Sequence, residues 1–143
     1  NSGYDDGFDI GLCCIDLRSG DLVFAGAQLP LLIQRDGKLD RVKGDVLPLG
    51  DGHFERTSGY QEHHLRLNHG DHLFLFSDGV LHQFGGENGR QKFSLKRLRA
   101  TLEERLNEPL PATREATIEA LNTWKGSNPQ TDDILIMGLR FAA

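Results

Sequence analysis

The sequence predicts an α+β fold, with antiparallel sheets stacked on one another and helices laid against an outer face. Three observations carry this. Strand-type segments fill the first half of the 143 residues. Two segments of helical period follow, and one more strand closes the chain. Several of the strands are apolar on both faces, so the sheet must be covered on each side. Two helices can cover one face, and a second sheet is the natural cover for the other.

The elements follow in order. Asp9 to Asp16 (DIGLCCID) is apolar on both faces, as a strand covered on both sides should be. Arg18-Ser19-Gly20 turns the chain into Asp21 to Ala27. Leu31 to Gln34 meets Lys38 to Val42 across Asp36-Gly37, a two-residue hairpin signal because both positions tolerate positive φ. Lys43 to Gln61 is rich in Gly, Asp, Pro and Ser and reads as a long loop. Glu62 to Leu67 alternates, which exposes one side to water, and Asn68-His69-Gly70 leads into Asp71 to Ser77. Leu95, Leu98, Leu102 and Leu106 then take up helical spacing, with charged residues between them and Ser94 placed as the N-cap. Pro109 and Pro111 end that helix, and Pro111 suits the first turn of the next. Ile118, Leu121 and Trp124 mark the buried side of this second helix, and Gly126 closes it. Ile134 to Phe141 is again apolar on both faces.

Composition narrows the function classes. Hydrophobic residues make up 38% and charged residues 26%, as in ordinary globular domains. A net charge of -5 argues against a nucleic-acid-binding surface, which phosphate backbones require to be basic. No apolar run approaches the ~20 residues that cross a bilayer, and the polar, glycine-rich opening has no signal-peptide character. The expected setting is cytoplasmic, without membrane contact by this segment. The two cysteines, Cys13 and Cys14, are adjacent and point to opposite faces of a strand, which disfavours a disulfide between them. They read as small core residues in a reducing compartment.

Two acidic loops are the candidates for chemistry. Ser77-Asp78-Gly79 directly follows an apolar strand, and Thr131-Asp132-Asp133 directly precedes one. An aspartate at the mouth of a buried strand is held by a rigid element, and a following glycine lets the backbone approach a ligand. Carboxylate oxygens suit hard cations such as Mg²⁺ or Mn²⁺. From spacing alone, however, ordinary turn aspartates are the stronger reading of both loops. The six histidines read as surface or internally satisfied residues, a proton-donor role for His82 being the lesser alternative.

Four ordered blocks tip the balance: Asp6-Gly7-Phe8-Asp9-Ile10; Phe24-Ala25-Gly26-Ala27 with Pro30; Leu73-Phe74-Leu75-Phe76-Ser77-Asp78-Gly79-Val80; and Gln130-Thr131-Asp132-Asp133-Ile134-Leu135. Between the second and third lie Lys43-Gly44-Asp45 and Leu47-Pro48-Leu49-Gly50. As a set they resemble the C-terminal half of the SpoIIE-like branch of type-2C (PPM) metal-dependent serine/threonine protein phosphatases. The resemblance implies an α-β-β-α sandwich of antiparallel sheets flanked by helices, present here only as its C-terminal half. It also implies that residues 1–143 are the C-terminal portion of one such domain. Asp78 and Asp132 are then the catalytic metal ligands, Gly79 and Asp133 are supporting residues, and the complete domain holds two Mn²⁺ or Mg²⁺ ions. The implied reaction is hydrolysis of phosphoserine or phosphothreonine by a metal-activated water, without a protein nucleophile.

The family pattern needs an earlier half that supplies another metal-binding aspartate. Asp5-Asp6-Gly7 reads as a turn and not as that loop. This chain alone is therefore expected to be weak or inactive, and to expose sheet edges that invite self-association. The implied partner is a phosphorylated regulatory protein of the STAS, anti-sigma-antagonist type. Two other readings compete. One is a catalytically degenerate phosphatase-like module that binds a partner, and the other is an unrelated α/β interaction domain with Asp78 and Asp132 far apart.

Overall fold

Strands β3 (Leu31–Arg35) and β6 (His72–Phe76) are the most deeply buried, and their alternating side chains explain the layers around them. In the computed structural model, which describes residues 7–50 and 59–142, they pair antiparallel at Leu32↔Phe74, Ile33↔Leu73 and Gln34↔His72. On one face Leu31, Ile33 and Leu73 meet Leu22, Phe24 and Leu67 in a core between two sheets. On the other, Leu32, Phe74 and Phe76 meet Val80, Phe93, Leu98, Leu102 and Leu121 in a core beneath the helices. A strand serving two cores has no polar face, which is why these segments are apolar at every position but a few.

The first sheet has the order β1-β2-β5, with β1 (Ile10–Ile15), β2 (Asp21–Ala27) and β5 (His63–Arg66), all antiparallel. The second has the order β4-β3-β6-β9, with β4 (Lys38–Val42) and β9 (Ile136–Arg140), also antiparallel. The β3–β4 hairpin turns at Asp36 and Gly37, with φ of 50° and 70° as a two-residue primed turn requires. The helices α2 (Ser94–Glu103) and α3 (Leu110–Lys125) lie on the second sheet. The described residues thus form sheet, sheet and helix layers, the arrangement expected of the C-terminal half of the sandwich.

Several local expectations are corrected. Ser94 does not cap α2: it sits at φ 69° and that helix end has no side-chain cap hydrogen bond. The stretch after β6 is a short helix, α1 (Asp78–His82), where the sequence suggested a loop. A small hairpin, β7 (Phe84–Gly85) and β8 (Gln91–Lys92), is too short to show any periodicity. Ile118 is 40% exposed, and Thr113 and Thr117 with Leu121 take the buried side of α3. Pro111 and Gly126 stand at its two ends as expected.

The doubly apolar strands β1 and β9 are both edges of their sheets among the described residues. Leu12 on the outer face of β1 is 63% exposed, and Met137 and Leu139 on β9 are 45% and 41% exposed. Their apolar character therefore exceeds what the described layers cover. Asp5, Asp6 and His53 lie outside the described residues, as does part of the long loop after Val42.

One buried polar pair crosses the helix-side core. His72 Nδ1 lies 3.1 Å from Gln34 Oε1 on the neighbouring strand, so the ring donates to the amide. Burial, with Arg140 nearby, holds its pKa below the ordinary 6.5. The unfolded chain therefore takes up this proton first as the pH drops. The contribution of His72 to stability is present in full above about pH 6.5 and is lost as the pH falls through the lower folded value. Denaturant melts from pH 8 to 5 should show stability declining below about pH 6.5, and His72→Gln should flatten that part of the profile. Leu98→Ala, at a site with no solvent exposure, should cost about 2–5 kcal/mol in the same melts.

Candidate active site

The two acidic loops meet at one end of the sandwich because β6 and β9 are hydrogen-bonded neighbours, paired up to Phe76↔Ile136. Beyond that pair the chains stay joined, since Ser77 N donates to Leu135 O at 2.9 Å. Ser77 is extended (φ -79°, ψ 160°) at the start of α1, yet its hydroxyl does not cap the helix. It donates to Asp133 O at 2.8 Å and accepts from Leu135 N at 3.0 Å. This short helix follows β6 directly, so Asp78 in its first turn is fixed by one of the two most buried strands of the molecule.

Gly79 is where the loops touch. A Cβ placed there would lie 2.2 Å from Asp133 O and 3.3 Å from the Asp132 Cβ. Only glycine allows this approach, because any larger residue would have to displace backbone. Asp132 is exposed, and its Oδ1 accepts from Asp133 N at 2.7 Å, which orients that carboxylate within its own loop. Gln130 Nε2 donates to Asp132 O at 2.9 Å. The loops bearing Asp78 and Asp132 are thus in contact, with Gly79 and Asp133 forming the seam. The reading that sets the two aspartates far apart does not survive this geometry.

Two further groups share this end of the molecule. His82 Nδ1 is 3.9 Å from Asp78 Oδ2, one helical turn on, and both side chains are part-exposed. Asp9, just before β1, is half-buried. Burial raises its pKa above the ordinary carboxylate range, the negative charge of Asp78 adds to that rise, and His82 opposes it. Asp9 therefore feels the charge at this site, a role sequence reasoning missed. The available signal was an acidic residue at the head of an otherwise apolar strand. Its strand is held in place by the loop after β4, through paired bonds between Phe8 and Leu49 (2.9 Å each).

The donors gathered here are carboxylate oxygens, the chemistry hard cations prefer. Among the described residues, no three His, Cys, Asp or Glu side chains come close enough together to hold a metal ion. Asp78 and Asp132 are of the donor type that suits a divalent cation.

Comparison with known proteins agrees with this architecture. Residues 3–142 match the family described as Stage II sporulation protein E (SpoIIE). The SiaA-PP2C domain of Pseudomonas aeruginosa is 36% identical, with a TM-score of 0.81 over 93% of this chain and 51% of that one. The phosphatase domain of SpoIIE from Bacillus subtilis is 20% identical, with a TM-score of 0.66 over 94% and 59%. The catalytic domain of the serine/threonine phosphatase PstP, solved in complex with two manganese ions, shares the fold at 13% identity and a TM-score of 0.62, over 94% and 59%. No curated relative matches the sequence. The chain spans about half the length of the phosphatase domains it resembles. On its sequence match from residue 3 to 142 and its shared fold, this chain belongs to the SpoIIE family of PP2C-type phosphatase domains.

Proposed function

We propose that this chain supplies part of the catalytic centre of a metal-dependent phosphatase. Its substrate would be phosphoserine or phosphothreonine on a bacterial regulatory protein, of which a STAS-type anti-sigma antagonist is one kind. The observation that carries the reading is the seam between Gly79 and Asp132–Asp133. It joins the two loops that bear Asp78 and Asp132 in a chain of the SpoIIE family.

In this reading Asp78 and Asp132 would hold the cation, Mn²⁺ or Mg²⁺. A bound cation of this kind supplies Lewis acidity toward a phosphoryl oxygen and lowers the pKa of a coordinated water. The chain's own part is to hold its two carboxylates still. Asp78 is anchored by β6 and α1, and Asp132 by the bond from Asp133 N and by the packing of Gly79. Preset ligands of this sort lose little freedom when a cation binds.

Two carboxylates are few for a hard cation, whose affinity grows with ligand number and charge. We therefore regard the chain as the C-terminal portion of one phosphatase domain, weak or inactive without the remainder. The exposed apolar side chains on β1 and β9 support this, since the remainder of a domain would bury them. Without that cover, those edges favour self-association.

The test is Mn²⁺-dependent hydrolysis of p-nitrophenyl phosphate by this chain and by the same chain joined to the remainder of a full-length domain. Activity is expected only in the joined form, and Asp78→Ala should reduce it at least about 100-fold. No activity in either form would overturn the catalytic reading in favour of a partner-binding module.

A further inference from the structure

The loop that carries Asp132 is gripped at two points, and both grips come from the residues that bracket α1. Ser77, immediately before the helix, bonds Asp133 O and Leu135 N through its hydroxyl. Gln83, immediately after it, is 3% exposed, and its Nε2 donates to Pro129 O at 3.1 Å and to Phe84 O at 2.9 Å. The span from Pro129 to Leu135 is therefore tied at its start by Gln83 and at its end by Ser77, with Asp132 between them.

Gln83 is itself locked. Its carbonyl accepts from Phe93 N at 2.8 Å and from Trp124 Nε1 at 3.3 Å, which fixes it to the start of α2 and the end of α3. Trp124 is held in turn by Phe93, edge-on at 6.2 Å, and by the Arg97 guanidinium 3.9 Å above its ring. A buried amide with this much support is costly to leave without partners, and a loop carbonyl is one of them. The Pro129 carbonyl, belonging to a residue without an N–H, is one of the few backbone groups through which this end of the loop can be tied.

We infer that Ser77 and Gln83 are positioning residues that together fix the Asp132 carboxylate relative to Asp78 across the α1 clasp. The inference deepens the phosphatase reading above and rests on it for the role of the carboxylates. The clasp itself rests only on the hydrogen bonds. Both act through the loop they hold.

The experiment uses the full 143-residue chain with Gln83→Met, Ser77→Ala and Ser77→Thr. The first removes the amide at similar length, the second removes the hydroxyl, and the third restores it. Two readouts are taken: amide hydrogen exchange along 130–135, and paramagnetic broadening of the Asp132 and Asp133 amides on titration with Mn²⁺. Gln83→Met and Ser77→Ala should each speed exchange in that segment about ten-fold while β3 and β6 stay protected. Each should also weaken Mn²⁺ uptake on the order of 10- to 100-fold, and Ser77→Thr should recover both readouts. Unchanged exchange in both variants would overturn the clasp. So would faster exchange spread evenly through the sheets with Mn²⁺ uptake intact, because that is loss of stability and not of position. A wild-type chain that takes up no Mn²⁺ counts against the metal reading, and the exchange pattern with its threonine rescue then decides the clasp. Should Gln83→Met fail to fold, the Ser77 pair decides the same question from the other end of the loop.

Discussion

Strand β6 divides the molecule's interior, and most other features depend on that position. Leu73 and Leu75 turn toward the inter-sheet core, while His72, Phe74 and Phe76 turn toward the helices. A strand so placed cannot shift register by one residue without exchanging the contents of two cores at once. Its far end is consequently fixed in register. Asp78 sits two residues beyond it, and the chain spends no flexible linker between scaffold and site.

The second aspartate is held by a different route. Asp132 stands on an exposed loop that its own sequence would leave loose, since Gly, Ser, Asn, Pro and Thr surround it. Its order is borrowed through the Ser77 hydroxyl, the Gln83 amide and the close backbone approach at Gly79. Each of these groups lies on or beside α1. A helix too short to be stable by itself is thus the junction of the site, held in place by what it ties together.

Two buried polar groups at the entry to β6 are paired in the same way. Asp71, 4% exposed, accepts from Arg35 Nε at 2.9 Å, Arg35 Nη2 at 2.7 Å and Asn68 N at 2.9 Å, so its charge is compensated where the turn enters β6. His72 and Gln34 satisfy one another a residue further on. The entry of β6 is thus secured by these polar contacts, its exit by those of Ser77, and its middle by apolar ones.

Much of this was written locally. Alternation and apolar runs placed β1 to β6 and β9, the leucine spacing placed α2, and Pro111 and Gly126 marked the ends of α3. Asp36-Gly37 marked a hairpin because positive φ at two successive residues is a property of those residues themselves. The same local signals failed where the chain leaves regular periods. Five residues of α1 and two-residue strands at β7 and β8 are shorter than any window that periodicity can fill. By itself, then, the sequence determined the order of the longer elements, the buried faces of the central strands and of α2, and two acidic loops near strand ends. Only the tertiary structure decided that β6 lies beside β9, so that those loops touch, that Asp9 comes within range of Asp78, and that Gln83 is drawn inside to hold the second loop. Faces are encoded by residues a few positions apart, whereas neighbours are chosen by which distant surfaces pack together, and no local pattern records that choice.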